Sequence, residues 1–149
     1  MSVRRTIRLG LLSIAGVLVL IQLVPYGRDH TNPPVTAEPA WDSPETRTLA
    51  AAACFDCHSN ETEWPWYTSV APFSWLTQDD VDEGRATLNF SEWDRPQEAD
   101  EGGEVIAEGE MPPWYYATLH SGARLSDQEK RRLIDGLRAT LQASPAAGD

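Results

Sequence analysis

The sequence predicts an all-α domain behind a single N-terminal membrane helix, and three observations carry that prediction. No stretch alternates polar and apolar side chains with period two, so there is little from which to build a sheet. Leu133, Ile134, Leu137 and Leu141 recur at helical spacing. The first 24 residues join a basic flank to an apolar run. At 149 residues the chain has room for one domain and not comfortably two.

Residues 1–24 come first. Arg4, Arg5 and Arg8 precede Leu9 to Val24, a run without charge in which only Ser13 and Gln22 are polar. A basic flank followed by such a run is the pattern of an export signal or signal anchor. The run is about 16 residues against the roughly 20 of a full span. Extension back through Ile7, with the arginines snorkelling, closes much of the gap. Leu23-Val24-Pro25-Tyr26-Gly27-Arg28 is a poor cleavage site, which favours an uncleaved anchor over a cleaved signal. In either case the rest of the chain is expected on the periplasmic side of a bacterial inner membrane.

Residues 25–42 contain Pro25, Pro33, Pro34 and Pro39 among polar residues and read as a semi-extended tether, with His30 solvated in it. The domain is expected over 43–143. Ser43-Pro44-Glu45 is a helix start, and a helix over 44–57 follows. Residues 59–76 are irregular and rich in aromatics. Thr77 caps a helix over 78–88, and 89–103 is loop with Phe90 and Trp93 turned inward. A short helix is possible over 99–108, weakened by Gly102 and Gly103. Ser126 with Glu129 forms a capping box for the last helix. Residues 144–149 read as a disordered tail.

The formal net charge is −11, and without Arg4, Arg5 and Arg8 the remainder carries −14. Such a surface repels nucleic acid and favours a partner with a basic docking face. Eight carboxylates between Glu92 and Glu110 have only Arg95 as a counter-charge, which suits either a docking face or a solvated surface.

The chemistry centres on Cys54-Phe55-Asp56-Cys57-His58, which holds both cysteines of the chain. C-x-x-C-H suits covalent attachment of haem c: two thioether bonds from Cys54 and Cys57, with His58 beneath the ring as axial iron ligand. A redox disulfide would want a βαβ context, and zinc a second pair of ligands; neither is present. Met111, in Glu110-Met111-Pro112-Pro113, is the candidate for the sixth iron position, since a thioether suits low-spin haem and the prolines stiffen the backbone after it. His120 is the rival. Trp64, Trp66 and Trp75 follow the attachment motif closely and are candidates to pack on the porphyrin. Arg85 and Arg95 are the cations most available for the propionates.

With those residues assembled, the chain resembles the bacterial haem-binding-domain family of small exported proteins with one C-x-x-C-H. The resemblance runs from about Leu49 to Leu137. It rests on Cys54 to Asn60, Trp64-Pro65-Trp66-Tyr67, Gly84-Arg85 with Leu88 to Trp93, and Met111-Pro112 through His120 to Leu125-Ser126. It implies a small cytochrome-c-like haem domain with Cys54 and Cys57 as attachment points and His58 as axial ligand. The function expected is that of a membrane-anchored monohaem c-type cytochrome, an electron carrier and not an enzyme. The alternative is a haem sensor or peroxidase-like protein with an open sixth position.

Overall fold

Helices make up the regular structure, and no strand forms among residues 3–147, which the structure, a computed structural model, describes. The all-α expectation holds. Two isolated bridges, Ala37 with Glu92 and Pro96 with Ala147, are the β-type pairings among these residues. The described residues divide into two units, 3–31 with 64–80 and 32–63 with 81–147.

In the first unit, α1 (Val3–Leu20) runs into a 3-10 turn, Ile21–Leu23, and none of its side chains is buried. Together they form the one helix among the described residues long and apolar enough to cross a membrane, compatible with an anchor or a signal sequence. The chain after it is fastened to residues 64–74. Gln22 pairs with the Ala71 backbone in both directions, Nε2 to O at 2.8 Å and N to Oε1 at 3.0 Å. His30 stacks on Trp64, with ring centroids 4.6 Å apart, and hydrogen-bonds Thr68 at 3.1 Å, so it is not the solvated tether residue expected. A 3-10 turn spans Trp66–Ser69. Helix α4 (Phe73–Thr87) starts more than a turn before the expected Thr77 cap. Pro72 presets the backbone there and its carbonyl accepts from Trp75 and Leu76. The early turn escaped the pattern because Phe73 and Leu76 are exposed and give no buried stripe.

The second unit holds α2 (Pro44–Ala53), α3 (Phe55–His58), the end of α4, α5 (Gly102–Glu108), α6 (Trp114–Leu119) and α7 (Asp127–Ala143). Ser43 caps α2, accepting from Thr46 N–H at 3.2 Å, with Pro44 in the first turn. The single helix expected over 44–57 is broken at Cys54, whose backbone leaves helical geometry at φ −125°. Ser126 and Glu129 form the expected capping box on α7. Helix α5 exists despite its glycines. Helix α6 was not anticipated, because Pro112-Pro113 reads as a stop while Pro113 also suits a start.

Ala50, Phe55, Phe90, Ile106, Leu133 and Leu137 are buried in one core with Trp93. Phe90 stacks between Phe55 at 5.7 Å and Trp93 at 5.9 Å, so both loop aromatics turn inward as expected. The second half of the stretch read as tether belongs to this unit. Thr36 and Ala37 N–H donate to the Ser91 carbonyl, and Trp41 packs 5.2 Å from Phe90. The tail also differs from expectation through residue 147. Trp93 Nε1–H donates to the Ser144 carbonyl at 3.0 Å, and Ala146 is buried. Residues 148 and 149 of that tail, and residues 1 and 2 of the anchor, lie outside the described residues.

Candidate haem site

Cys54 sits at the break between α2 and α3, and α3 presents His58 in its only turn. The His58 backbone is held at both groups: its N–H donates to the Cys54 carbonyl and its carbonyl accepts from Phe90 N–H, each at 2.8 Å. Its ring is held by the end of α4. Nδ1 lies 3.0 Å from the Leu88 carbonyl and 3.1 Å from that of Gly84. Carbonyls only accept, so Nδ1 carries the proton and the Nε2 lone pair is left for a ligand. The arrangement uses carbonyls at a helix C-terminus that have few intrahelical donors. Burial lowers the His58 pKa more than these two carbonyls raise it, which keeps the ring neutral. Burial also pushes the Cys54 thiol up to about 12.

A polar network fixes the loop after the motif. Ser59 Oγ–H donates to the Phe55 carbonyl at 2.8 Å, and Asn60 N–H donates to Ser91 Oγ at 2.9 Å. Asn89 Nδ2 donates to Asn60 Oδ1, and Asn89 Oδ1 accepts from Ser91 N–H, both at 2.9 Å. All four side chains are buried and each has a partner, so the network costs little desolvation and rigidifies its surroundings. Arg85 is spent on the same loop, donating to the Ser59 carbonyl at 2.8 Å, to Thr62 Oγ1 at 2.9 Å and to Asn32 Oδ1 at 3.0 Å. Arg95 pairs with Glu92 at 2.8 Å and donates to the Arg85 carbonyl. Both arginines, which the sequence offers to the propionates, have protein partners here.

Cys54, His58 and Met111 line one cavity of about 130 Å³. Its other walls are mostly apolar: Ala53, Leu88, Phe90, Val105, Ile106 and Leu137. Glu98 and Glu101 are its ionisable side chains apart from Cys54 and His58. Met111 arrives by a sharp reversal after α5. Gly109 takes the left-handed conformation at φ 82°, which suits glycine, and the N–H groups of Glu110 and Met111 return to the Val105 carbonyl at 3.0 and 3.2 Å. The sequence proposed the thioether from its proline-rigid loop; the helix cap is what brings it to the cavity.

The remaining candidates fall elsewhere. His120 lines a different cavity, stacked on Tyr116 with ring centroids 4.0 Å apart, and Nδ1 faces the Tyr116 carbonyl at 3.0 Å. Tyr116 O–H donates to Asp56 Oδ2 at 2.7 Å, and burial, with Asp56, holds its phenol protonated. Trp64, Trp66 and Trp75 belong to the other unit and are not among the cavity-lining residues; the aromatic wall is Phe90. Residues 64–74 are tied to the chain that follows α1. Gly84 and Asn89 contribute most among residues given no role from spacing. A glycine inside an otherwise helix-forming run was the one available signal for Gly84.

A soft thioether, a neutral imidazole with its Nε2 lone pair available, and dry walls are a donor set and lining that fit haem. Comparison with curated proteins and with solved structures gives no match. The haem-binding domain family matches residues 16–139, extending past both ends of the motif blocks. The chain therefore belongs to the haem-binding domain family, and its cofactor is haem.

Proposed function

We propose that this is a membrane-anchored monohaem c-type cytochrome that moves single electrons on the periplasmic side of the inner membrane. The observation that carries the reading is that Met111, distant in sequence, shares one apolar cavity with Cys54 and His58. Cys54 and Cys57 would hold the porphyrin by thioether bonds, and His58 Nε2 and Met111 Sδ would be its axial ligands. Bound haem supplies a one-electron iron couple. The chain's part is to hold His58 in one tautomer, to exclude water with Leu88, Phe90 and Leu137, and to fix the thioether through the α5 cap. At about 130 Å³ the cavity is smaller than the roughly 300–1,000 Å³ of usual ligand pockets, so haem binding has to widen it.

If His58 and Met111 both held the iron, no substrate would need to bind the metal, and the site would suit a carrier better than an enzyme. The net charge of −11 favours a redox partner with a basic face and disfavours nucleic acid. The test is a visible spectrum of the full chain made with the haem-attachment machinery. It should be low-spin, with a sulfur-to-iron charge-transfer band when oxidised and weak carbon monoxide binding when reduced. Met111→Ala should remove that band while His120→Ala leaves it. An unchanged Met111→Ala spectrum rejects the axial assignment, and colourless wild-type protein rejects covalent attachment.

A further inference from the structure

The first unit exposes apolar surface on both of its segments. Trp66 is 80% exposed, Phe73 51%, Leu76 45% and Leu23 77%. One exposed apolar side chain is ordinary; here Trp66 and Phe73 both pack on the Tyr67 ring, with centroids 6.1 and 6.3 Å away, and an exposed aromatic cluster points to an interaction surface. Its depth relative to a bilayer follows from helix length. The apolar helix Val3–Leu23 has 21 residues. At 1.5 Å per residue it spans about 30 Å, the thickness of a hydrocarbon core. With Arg4 and Arg5 at one boundary and the Arg8 side chain snorkelling back to it, Gln22 reaches the other.

Gln22 fixes what else lies at that boundary. Its amide exchanges two hydrogen bonds with the Ala71 backbone, at 2.8 and 3.0 Å. Its Oε1 also accepts from Arg28 at 3.0 Å, an arrangement suited to the headgroup edge, where a cation can remain solvated. Ala71 is therefore within one side-chain length of the bilayer boundary whenever α1 spans. The neighbours of Ala71 in sequence are the exposed Trp66, Phe73 and Leu76. Tryptophan and other amphipathic rings concentrate at this level because the ring body is apolar and its N–H prefers water.

We infer that residues 66–76 form a non-spanning membrane contact: Trp66, Phe73 and Leu76 rest in the headgroup–acyl boundary of the bilayer that α1 crosses. The partner of this surface is lipid. The inference rests on the anchor reading of α1 and gives the tryptophans near the attachment motif a use other than porphyrin packing. It also gives a reason to retain residues 1–24, since cleavage beyond Gln22 would leave the Ala71 backbone without its side-chain partner.

The test uses the full chain in phosphatidylcholine nanodiscs, with 15N-labelled indole resonances and Trp66 assigned by loss of its signal in Trp66→Phe. A nitroxide on the lipid near the headgroup should broaden the Trp66 indole signal, and should do so more strongly than a soluble gadolinium chelate. Broadening by the chelate and not by the lipid nitroxide, in protein whose mass includes residues 1–24, overturns the inference and leaves the anchor intact. A mature protein found in the soluble fraction and lacking those residues overturns the anchor reading and the inference together.

Discussion

Gly84 lies so close to Cys57 that a methyl group in place of its hydrogen would stand 2.5 Å from the Cys57 carbonyl oxygen and 3.0 Å from its Cβ. The same glycine's carbonyl faces His58 Nδ1 at 3.1 Å. One residue of α4 thus permits the close approach of helix and attachment motif and helps orient the imidazole. Backbone on backbone leaves no flexible side chain to yield. Gly84→Ala is expected to destabilise the domain by roughly 1–3 kcal/mol, the range for overpacking, and to lower the yield of haem-containing protein. Chemical denaturation and haem staining of a denaturing gel measure the two effects.

Asn89 links the loop after the motif to the chain beyond α4, donating to Asn60 and accepting from Ser91. Asn89→Ala leaves Asn60 Oδ1 and the Ser91 N–H without these buried partners. The expected loss is about 1–3 kcal/mol, the cost of stranding buried polar groups. Exposed Gln142→Ala serves as the comparison for a polar-to-alanine change outside the network. Equal midpoints for the two variants in a urea titration would contradict the role given to the network.

Glu98 and Glu101 line the cavity of His58 and Met111. A carboxylate beside the cavity would favour the more positive, oxidised state of a haem held there, by an amount limited by the solvent exposure of both residues. Glu98→Gln and Glu101→Gln should each raise the midpoint potential, with Glu104→Gln, outside the cavity lining, changing it less. Spectroelectrochemical titration at constant ionic strength reads the difference.

Glu38 accepts from Arg47 Nε and Nη2, both at 2.8 Å, and from Trp41 Nε1 at 2.9 Å. The Arg47 hydrogen bonds, partly opposed by burial, lower its pKa from the ordinary 4.5. A carboxyl with a depressed folded pKa contributes stability above its unfolded value and loses it as pH falls through the folded one. The pair is partly solvated, so the contribution is at most about 1 kcal/mol. As pH falls below 4.5, the wild type should lose more stability than Glu38→Gln, and parallel pH profiles would sink the assignment.

Much of the site was legible because its chemistry is local. Cys54, Cys57 and His58 are fixed by spacing within five residues, and the capping box of α7 by spacing within four. Such signals need no knowledge of what packs where. Met111 was legible as a candidate because it stands in a loop stiffened by proline, where filling a core is a weak explanation. Phe90 and Trp93 were legible as buried because large aromatics in a short loop have few other places to go.

The partners of those residues were not legible. The groups that set the His58 tautomer are backbone carbonyls of Gly84 and Leu88, and every residue has a carbonyl. Arg85 and Arg95 looked free for propionates because charge can be counted along a chain while hydrogen-bond partners cannot. His120 and Met111 differ by nine positions, yet they line different cavities, since the α5 cap turns one chain segment toward His58 and α6 carries the next toward Asp56. The local partners of the aromatic segment were not legible either: Gln22 pairs with Ala71 and His30 stacks on Trp64, contacts that no short spacing announces.

By itself, then, the amino-acid order determined the haem-binding family, the apolar helix and the helical class, each set by side-chain identity at fixed short spacing. Only the tertiary structure decided that Met111 and not His120 shares the cavity of His58, and what holds that imidazole. Those choices depend on long-range contacts whose entropy cost is met by packing many residues at once, and no single spacing records them.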